Sequence, residues 1–313
     1  MLQKRFIVLM ILVLFFAPLP GLAGGFRVGT WKTAQTIQPF FYNQFSQPDQ
    51  KGQVFAFTNP ADQKTALLAG NLDMCGTTLA HAIHSASQGQ PVVVVAALCN
   101  KCSALVTRVD GPVKTIADLK GKKIGYVPGT MHEILLRESL VRSGLSPEKD
   151  VFLTRVDFFD MGLALAKGDI AAFLSGEPFP TLAVSKGYGR IMAFPYYGES
   201  IGTINAGMLV TQKMIRKNPG KVLALVRAHA QATGFLNSHK DAWLKKAASF
   251  GTPVNILEAA APNMELAWDM DKAFIEKVAA LGERMQALGL IKKQPDYSKL
   301  IDLQFVSQIR LSQ

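Results

Sequence analysis

Short apolar runs alternate with amphipathic stretches along most of the chain. Residues 26–31, 54–58 and 72–75 are brief, largely apolar runs that predict strands. Between them, Asn59-Pro60 opens a helix with Asn as its N-cap and Pro in its first turn, and Gly70 stops it. A further helix is predicted from Gly76-Thr77-Thr78 to about Ser87. Residues 92–98 are continuously apolar, the pattern of a strand buried on both faces of a parallel sheet. A second set begins after Arg108. It predicts a helical turn at 115–119, strands at 123–127, 151–156, 169–174 and 190–194, and helices at 131–142, 160–167 and 178–186.

This strand–helix order predicts an α/β protein with parallel sheets covered by helices. The tail differs. After an apolar run at 204–210 it reads as almost all helix, at 219–236, 242–250 and 272–288, the last closed by Gly289. Periodicity alone accommodates two consecutive domains as well as two lobes between which the chain leaves and returns. Hydrophobic content of 49% over 313 residues is enough for one large core or two ordinary ones.

The first residues bear on compartment. Lys4 and Arg5 precede an apolar run at 6–17, then Pro18, Pro20 and a small-residue end at Gly21-Leu22-Ala23. That three-part pattern predicts a cleaved secretory signal over residues 1–23 and a periplasmic location. The run is shorter than the roughly 20 residues a bilayer span needs. The chain is basic, with 34 Lys and Arg against 23 Asp and Glu. Its cations come as short pairs such as Lys122-Lys123 and Lys245-Lys246, not blocks, and no zinc-finger or RNA-stacking motif is present. Nucleic acid is therefore not an expected partner, and the basic surface is read as a mild attraction for anionic solutes.

Several motifs, taken in order, resemble the nitrate/sulfonate/taurine family of periplasmic solute-binding proteins. Ala66-Leu67-Leu68-Ala69-Gly70-Asn71-Leu72-Asp73 is similar to that family's ALLAGEVD segment. Residues 116–125, with Asp118-Leu119-Lys120-Gly121-Lys122-Lys123, resemble its DLKGKKIG segment. Pro128-Gly129-Thr130 fits its glycine turn, residues 160–172 its DM…AL…GEIDA pattern, and Gly176-Glu177-Pro178-Phe179 its EP-plus-aromatic site. The resemblance spans nearly the whole chain after residue 23. It implies a type II periplasmic-binding-protein fold: lobe 1 from 24–108 and 200–313, lobe 2 from 109–199, a two-strand hinge and a ligand in the cleft. It also implies a monomer without cofactor or catalysis, working with the permease and ATPase of an ABC importer on a small polar, nitrate-, sulfonate- or taurine-like ligand. The chain departs from the family at His81 and His84 and at Cys99-Asn100-Lys101-Cys102.

Ligands of open α/β sheets lie beyond the carboxyl ends of strands, where helix N-termini offer free N–H groups. In lobe 1 that rule selects Trp31, Thr33 and Gln35, then Thr77 and Thr78, then Asn100 and Ser103. In lobe 2 it selects Gly129, Thr130, Met131 and His132, then Asp160 and Glu177, with Asn205 at the return crossing. Competing structural roles are equally concrete. Thr77 and Thr78 suit plain capping, Trp31 suits the lobe core, Glu177 suits capping the helix behind it, and Thr130-x-x-Glu133 has capping-box spacing.

Three cysteines, Cys75, Cys99 and Cys102, allow one disulfide and leave one thiol over. Cys75 and Cys99 end predicted strands of one sheet and could lie near each other, while Cys99-x-x-Cys102 could close a small ring or act as a redox pair. His81 and His84 share a helix face, and with Cys99 and Cys102 they have metal-ligand residue types. The rival readings are metal or metal-complex binding, binding of a thiamine-pyrimidine precursor, a pyrimidine-synthase-type enzyme on the same fold, and a sensor that reports its ligand to a receptor. A serine hydrolase is disfavoured, because no G-x-S-x-G elbow occurs.

Overall fold

A computed structural model describes residues 25–196 and 201–312. The expected export signal, residues 1–23, lies outside the described residues. So does the expected return point to lobe 1 at residue 200. No helix among the described residues is long and apolar enough to cross a membrane.

Among the described residues ten strands form: β1 (Arg27–Trp31), β2 (Gln53–Phe57), β3 (Met74–Thr78), β4 (Val92–Cys99), β5 (Ser103–Arg108), β6 (Lys123–Tyr126), β7 (Phe152–Arg155), β8 (Ala172–Gly176), β9 (Gly189–Ala193) and β10 (Ala206–Thr211). They make two five-stranded sheets, ordered β2-β1-β3-β10-β4 and β7-β6-β8-β5-β9. Each sheet has helices packed against it, so the architecture is α/β in two lobes. β4 is buried at all eight positions, as its unbroken apolar run requires.

Among the described strands the sheet changes after β4 and again before β10, and the strand that follows each change runs antiparallel to both its neighbours. β5 opposes β8 and β9, and β10 opposes β3 and β4. The reason is geometric. The parallel strands end at the edge facing the other lobe, so a chain arriving from that lobe starts at this edge and runs away from it.

The first passage is earlier than expected. Ser103–Arg108, assigned in sequence to lobe 1, hydrogen-bonds within the second sheet, so the crossing is Asn100-Lys101-Cys102. Nothing in the apolar stretch Ala104-Leu105-Val106 marks a change of sheet, because a strand's pattern reports burial and not its neighbours. Cys75 and Cys99 do not lie on neighbouring strands either. β10 lies between their strands, pairing Leu209 with Cys75 on one side and Ala206 with Cys99 on the other.

The helical tail covers the first sheet. Pro219–Ser238 buries His229 completely. His229 Nε2 lies 2.7 Å from the Ala97 carbonyl, which can only accept, so Nε2 carries the proton and Nδ1 accepts from the Tyr42 hydroxyl at 2.9 Å. This pair ties the tail to β4 through groups that would otherwise be buried without partners.

Candidate functional site

Caps set the helices that open at the cleft. Thr78 is the N-cap of Leu79–Ser87, its hydroxyl accepting from His81 N at 3.3 Å. Thr130 caps Met131–Arg142 in the same way, accepting from Glu133 N at 3.3 Å. Glu133 turns back to accept from Gly129 N at 2.6 Å and pairs with Arg137 at 2.9 Å. It is thus engaged in the turn and not aimed at the cleft. Gly129 has φ of +74°, and a Cβ there would lie 2.3 Å from His81 Nε2 of the other lobe. The turn therefore needs glycine for both backbone conformation and close approach. Thr78 Oγ1 bridges the lobes as well, donating to the Gly129 carbonyl at 3.4 Å.

A narrow cavity lies between the lobes. The first lobe contributes Trp31, Thr33, Gln35, Phe57, Thr58, Thr78, Cys99 and Asn205. The second contributes His132, Phe158, Phe159, Gly176 and Phe179. Almost all follow or end a strand at the edge facing the other lobe; Asn205 precedes β10, which reaches that edge with its amino end.

Two properties define the chemistry. First, five aromatic rings form much of the wall. Phe158 and Phe179 stack at 6.1 Å and 7°, Phe159 meets Phe179 edge-on at 4.9 Å, and His132 meets Phe158 edge-on at 5.5 Å. Second, no Lys, Arg, Asp or Glu among the described residues lines the cavity. Its polar groups are neutral. His132 Nδ1 is 2.8 Å from Ser103 Oγ, and burial pushes the His132 pKa down to about 3. Trp31 Nε1 and Gln35 Oε1, a donor and an acceptor, are buried without a hydrogen-bond partner. Leaving such groups unpaired costs roughly 1–3 kcal/mol each, and a polar ligand atom would offset that.

The residues selected from sequence divide clearly. Trp31, Thr33, Gln35, Thr78, His132 and Asn205 line the cavity. Ser103 stands behind it through His132. Thr77 is buried beside His81, with Oγ1 at 3.5 Å from Nδ1. Met131 is wholly buried core, Gly129 and Thr130 build the turn, and Asp160 is exposed. Asn100 donates to Glu265 at 2.6 Å, outside the cavity. Glu177 accepts from Thr181 N at 3.1 Å and from Asn263 at 3.3 Å, so it caps the helix Phe179–Ser185 and ties it to the first lobe. Burial raises its pKa, and the bonds from Thr181 and Asn263 oppose that.

The metal-type residues do not gather. Among the described residues no group of three or more His, Cys, Asp or Glu is placed to hold a metal ion. His84 pairs with Gln88 at 3.2 Å on its own helix, and His81 faces the Gly129 turn. Phe57, Thr58, Phe158, Phe159, Gly176 and Phe179 were not selected in advance. The strand-end rule reaches them all, but hydrogen-bonding types were favoured and, Trp31 apart, the rings were passed over; nothing in the sequence set Thr58 or Gly176 apart.

The NMT1/THI5-like family profile matches residues 53–242. A putative thiamine biosynthesis protein of Haemophilus influenzae is 28% identical over 275 residues, 80% of this chain and 81% of that one. A putative aliphatic sulfonates-binding protein of Escherichia coli is 24% identical over 212 residues, 66% and 65% of the two chains. The alkanesulfonate-binding protein SsuA from Xanthomonas axonopodis pv. citri, solved bound to MOPS, superposes with a TM-score of 0.78 at 21% identity, covering 89% of this chain and 98% of that one. The chain therefore belongs to the NMT1/THI5-like family and has the fold of the periplasmic solute-binding proteins.

Proposed function

We propose that this protein is the solute-binding component of an ABC-type importer. It closes two lobes over a small organic solute and performs no reaction on it. The observation that carries this reading is the cavity itself, walled from both lobes by rings and neutral hydrogen-bonding groups. A ligand touching both lobes stabilises the closed arrangement by its differential affinity for it. The solute is expected to have an apolar or flat body seated among Phe158, Phe159, Phe179, Phe57 and Trp31. Its polar head would meet Trp31 Nε1, Gln35 Oε1, the Thr78 hydroxyl and His132. Neutral donors and the N-terminus of Leu79–Ser87 suit a sulfonate head without any lysine or arginine. Bare nitrate leaves the rings without a partner.

A second reading keeps the cleft and gives it a flat nitrogen heterocycle such as an aminopyrimidine. The ring-rich wall, beside an unpartnered donor and acceptor at Trp31 and Gln35, favours it. The thiamine-biosynthesis name of one relative points the same way.

A thermal-shift panel on ligand-stripped protein separates the two. It would contain alkanesulfonates, taurine, nitrate, bicarbonate, aminopyrimidines and divalent metals. A ligand at about a hundred times its Kd adds about 2.7 kcal/mol to native stability and raises Tm. A saturable rise with alkanesulfonates supports the first reading, and a rise with aminopyrimidines the second. A rise with metals alone would defeat both.

A further inference from the structure

Cys99 ends β4 and Cys102 is the last residue of the first passage between lobes, immediately before β5. Both are free thiols, 1% and 0% exposed. Only three positions apart along the chain, the two thiols are buried together at the passage, and burial with Cys99 nearby pushes the Cys102 pKa up. Cys102 Sγ also accepts from Asn205 Nδ2 at 2.8 Å. Asn205 belongs to the return passage, just before β10, so this thiol holds the two hinge segments together. Cys99 borders the solute cavity. Cys75 has no comparable partner. With β10 between its strand and that of Cys99, the two are separated by about two strand spacings of roughly 4.8 Å each. That exceeds the Cα separation of about 7 Å that a disulfide tolerates.

We propose that Cys99 and Cys102 are a redox-active dithiol that closes to a disulfide across the first hinge passage. The oxidant is an external disulfide, of a small thiol or of a thiol oxidase. The Cys99 sulfur, at the cavity, attacks one sulfur of that disulfide. The first external thiol leaves with the Cys99 proton, and a mixed disulfide remains. The Cys102 sulfur then attacks Cys99, and the second external thiol leaves with the Cys102 proton. One external disulfide becomes two thiols, and the protein loses two hydrogens.

Two consequences follow from the geometry. Bonding to Cys99 draws Cys102 Sγ away from Asn205, whose buried amide loses its partner, so the closed arrangement weakens. Conversely, closure buries both thiols, so the closed protein is oxidised more slowly than the open one.

The test equilibrates the full chain with reduced and oxidised glutathione, starting from both the reduced and the oxidised protein. Free thiols are then alkylated and the chain digested with trypsin. Lys101 lies between the two cysteines. Reduced protein therefore gives separate alkylated peptides, 65–101 and 102–108, and the disulfide keeps them joined. Joined peptides at oxidising ratios, in which tandem fragmentation places the alkyl group on Cys75 and not on Cys99, are the expected result. Cys99→Ser and Cys102→Ser should give only the mixed disulfide with glutathione. Separate alkylated peptides in the most oxidising mixture, even after unfolding and refolding in it, would overturn the proposal. So would a bridge to Cys75. Small-angle scattering should give a larger radius of gyration for the oxidised form, and equal radii would overturn the link to closure. The peptide readout is a mass, so it stands or falls independently of the importer reading.

Discussion

Arg284, on the helix Lys272–Ala287 of the first lobe, forms an ion pair with Glu138, on the helix Met131–Arg142 of the second. Both side chains are largely withdrawn from solvent, at 19% and 14% exposure. Removing one partner of a mostly buried pair leaves a poorly solvated charge, and a hinge protein can relieve this by opening. Glu138→Gln should therefore raise the Kd of the best solute from the panel by about tenfold, equivalent to about 1.4 kcal/mol. Its radius of gyration should increase, and its circular dichroism should stay unchanged. Unchanged affinity would show that the pair does not hold closure.

Gly129 offers a steric test of the same event. Gly129→Ala places a methyl at the position 2.3 Å from His81 Nε2 and forces an L-residue to φ near +74°. The backbone strain is of order 1 kcal/mol. The clash exists only when the lobes meet. Solute binding should fall at least tenfold while the melting temperature of the ligand-free protein drops by only a few degrees. Restored binding in Gly129→Ala/His81→Ala would identify the clash as the cause.

Acid should destabilise the protein through three buried histidines. Burial lowers the pKa of His81 to about 4, of His132 to about 3 and of His229 to about 4. The unfolded chain takes up protons below about pH 6.5 that these native rings refuse. Their contribution is intact above that pH, is lost progressively as pH falls toward about 3, and changes little below it. Tm should decline over this window at roughly 2–4 °C per kcal/mol. His132→Asn should make the decline shallower, and an unchanged slope would remove His132 from the account.

Tyr42→Phe tests the tail's attachment apart from the cleft. It strips the donor from His229 Nδ1 at a fully buried site. Stability should fall by about 1–3 kcal/mol, measured by urea unfolding, with solute affinity unchanged. A loss of affinity without a loss of stability would contradict the assignment of this pair to the lobe core.

Much of the α/β architecture was legible because each element carries its own local signal. Asn59 and Thr130 cap the helices that their side chains predict, and β4 is as buried as its apolar run implies. Long-range pairing was not legible. The apolar run that became β10 carries no mark of insertion between β3 and β4, so the distance between Cys75 and Cys99 could not be read. β5 was missed for the same reason, since its neighbours β8 and β9 are far away in sequence. The strand-end rule leads to the edge where the cavity lies, but residue type misled the choice of lining residues along it. Asp160 and Glu177 look chemical and are exposed or capping, whereas Phe158, Phe159 and Phe179 look structural and form the wall.

The central claim is that a solute is held between the lobes against that wall. Calorimetric titration of the strongest solute from the panel tests it most directly, using wild type, Trp31→Ala, Phe179→Ala and, as a control, Phe152→Ala at a ring 63% exposed elsewhere on the second lobe. Loss of a ring contact removes its buried area and about 0.5–1.5 kcal/mol of ring–ring interaction. The account predicts affinities about tenfold or more weaker for Trp31→Ala and Phe179→Ala, with Phe152→Ala indistinguishable from wild type. Wild-type affinity in both cavity variants would contradict it and place the solute elsewhere.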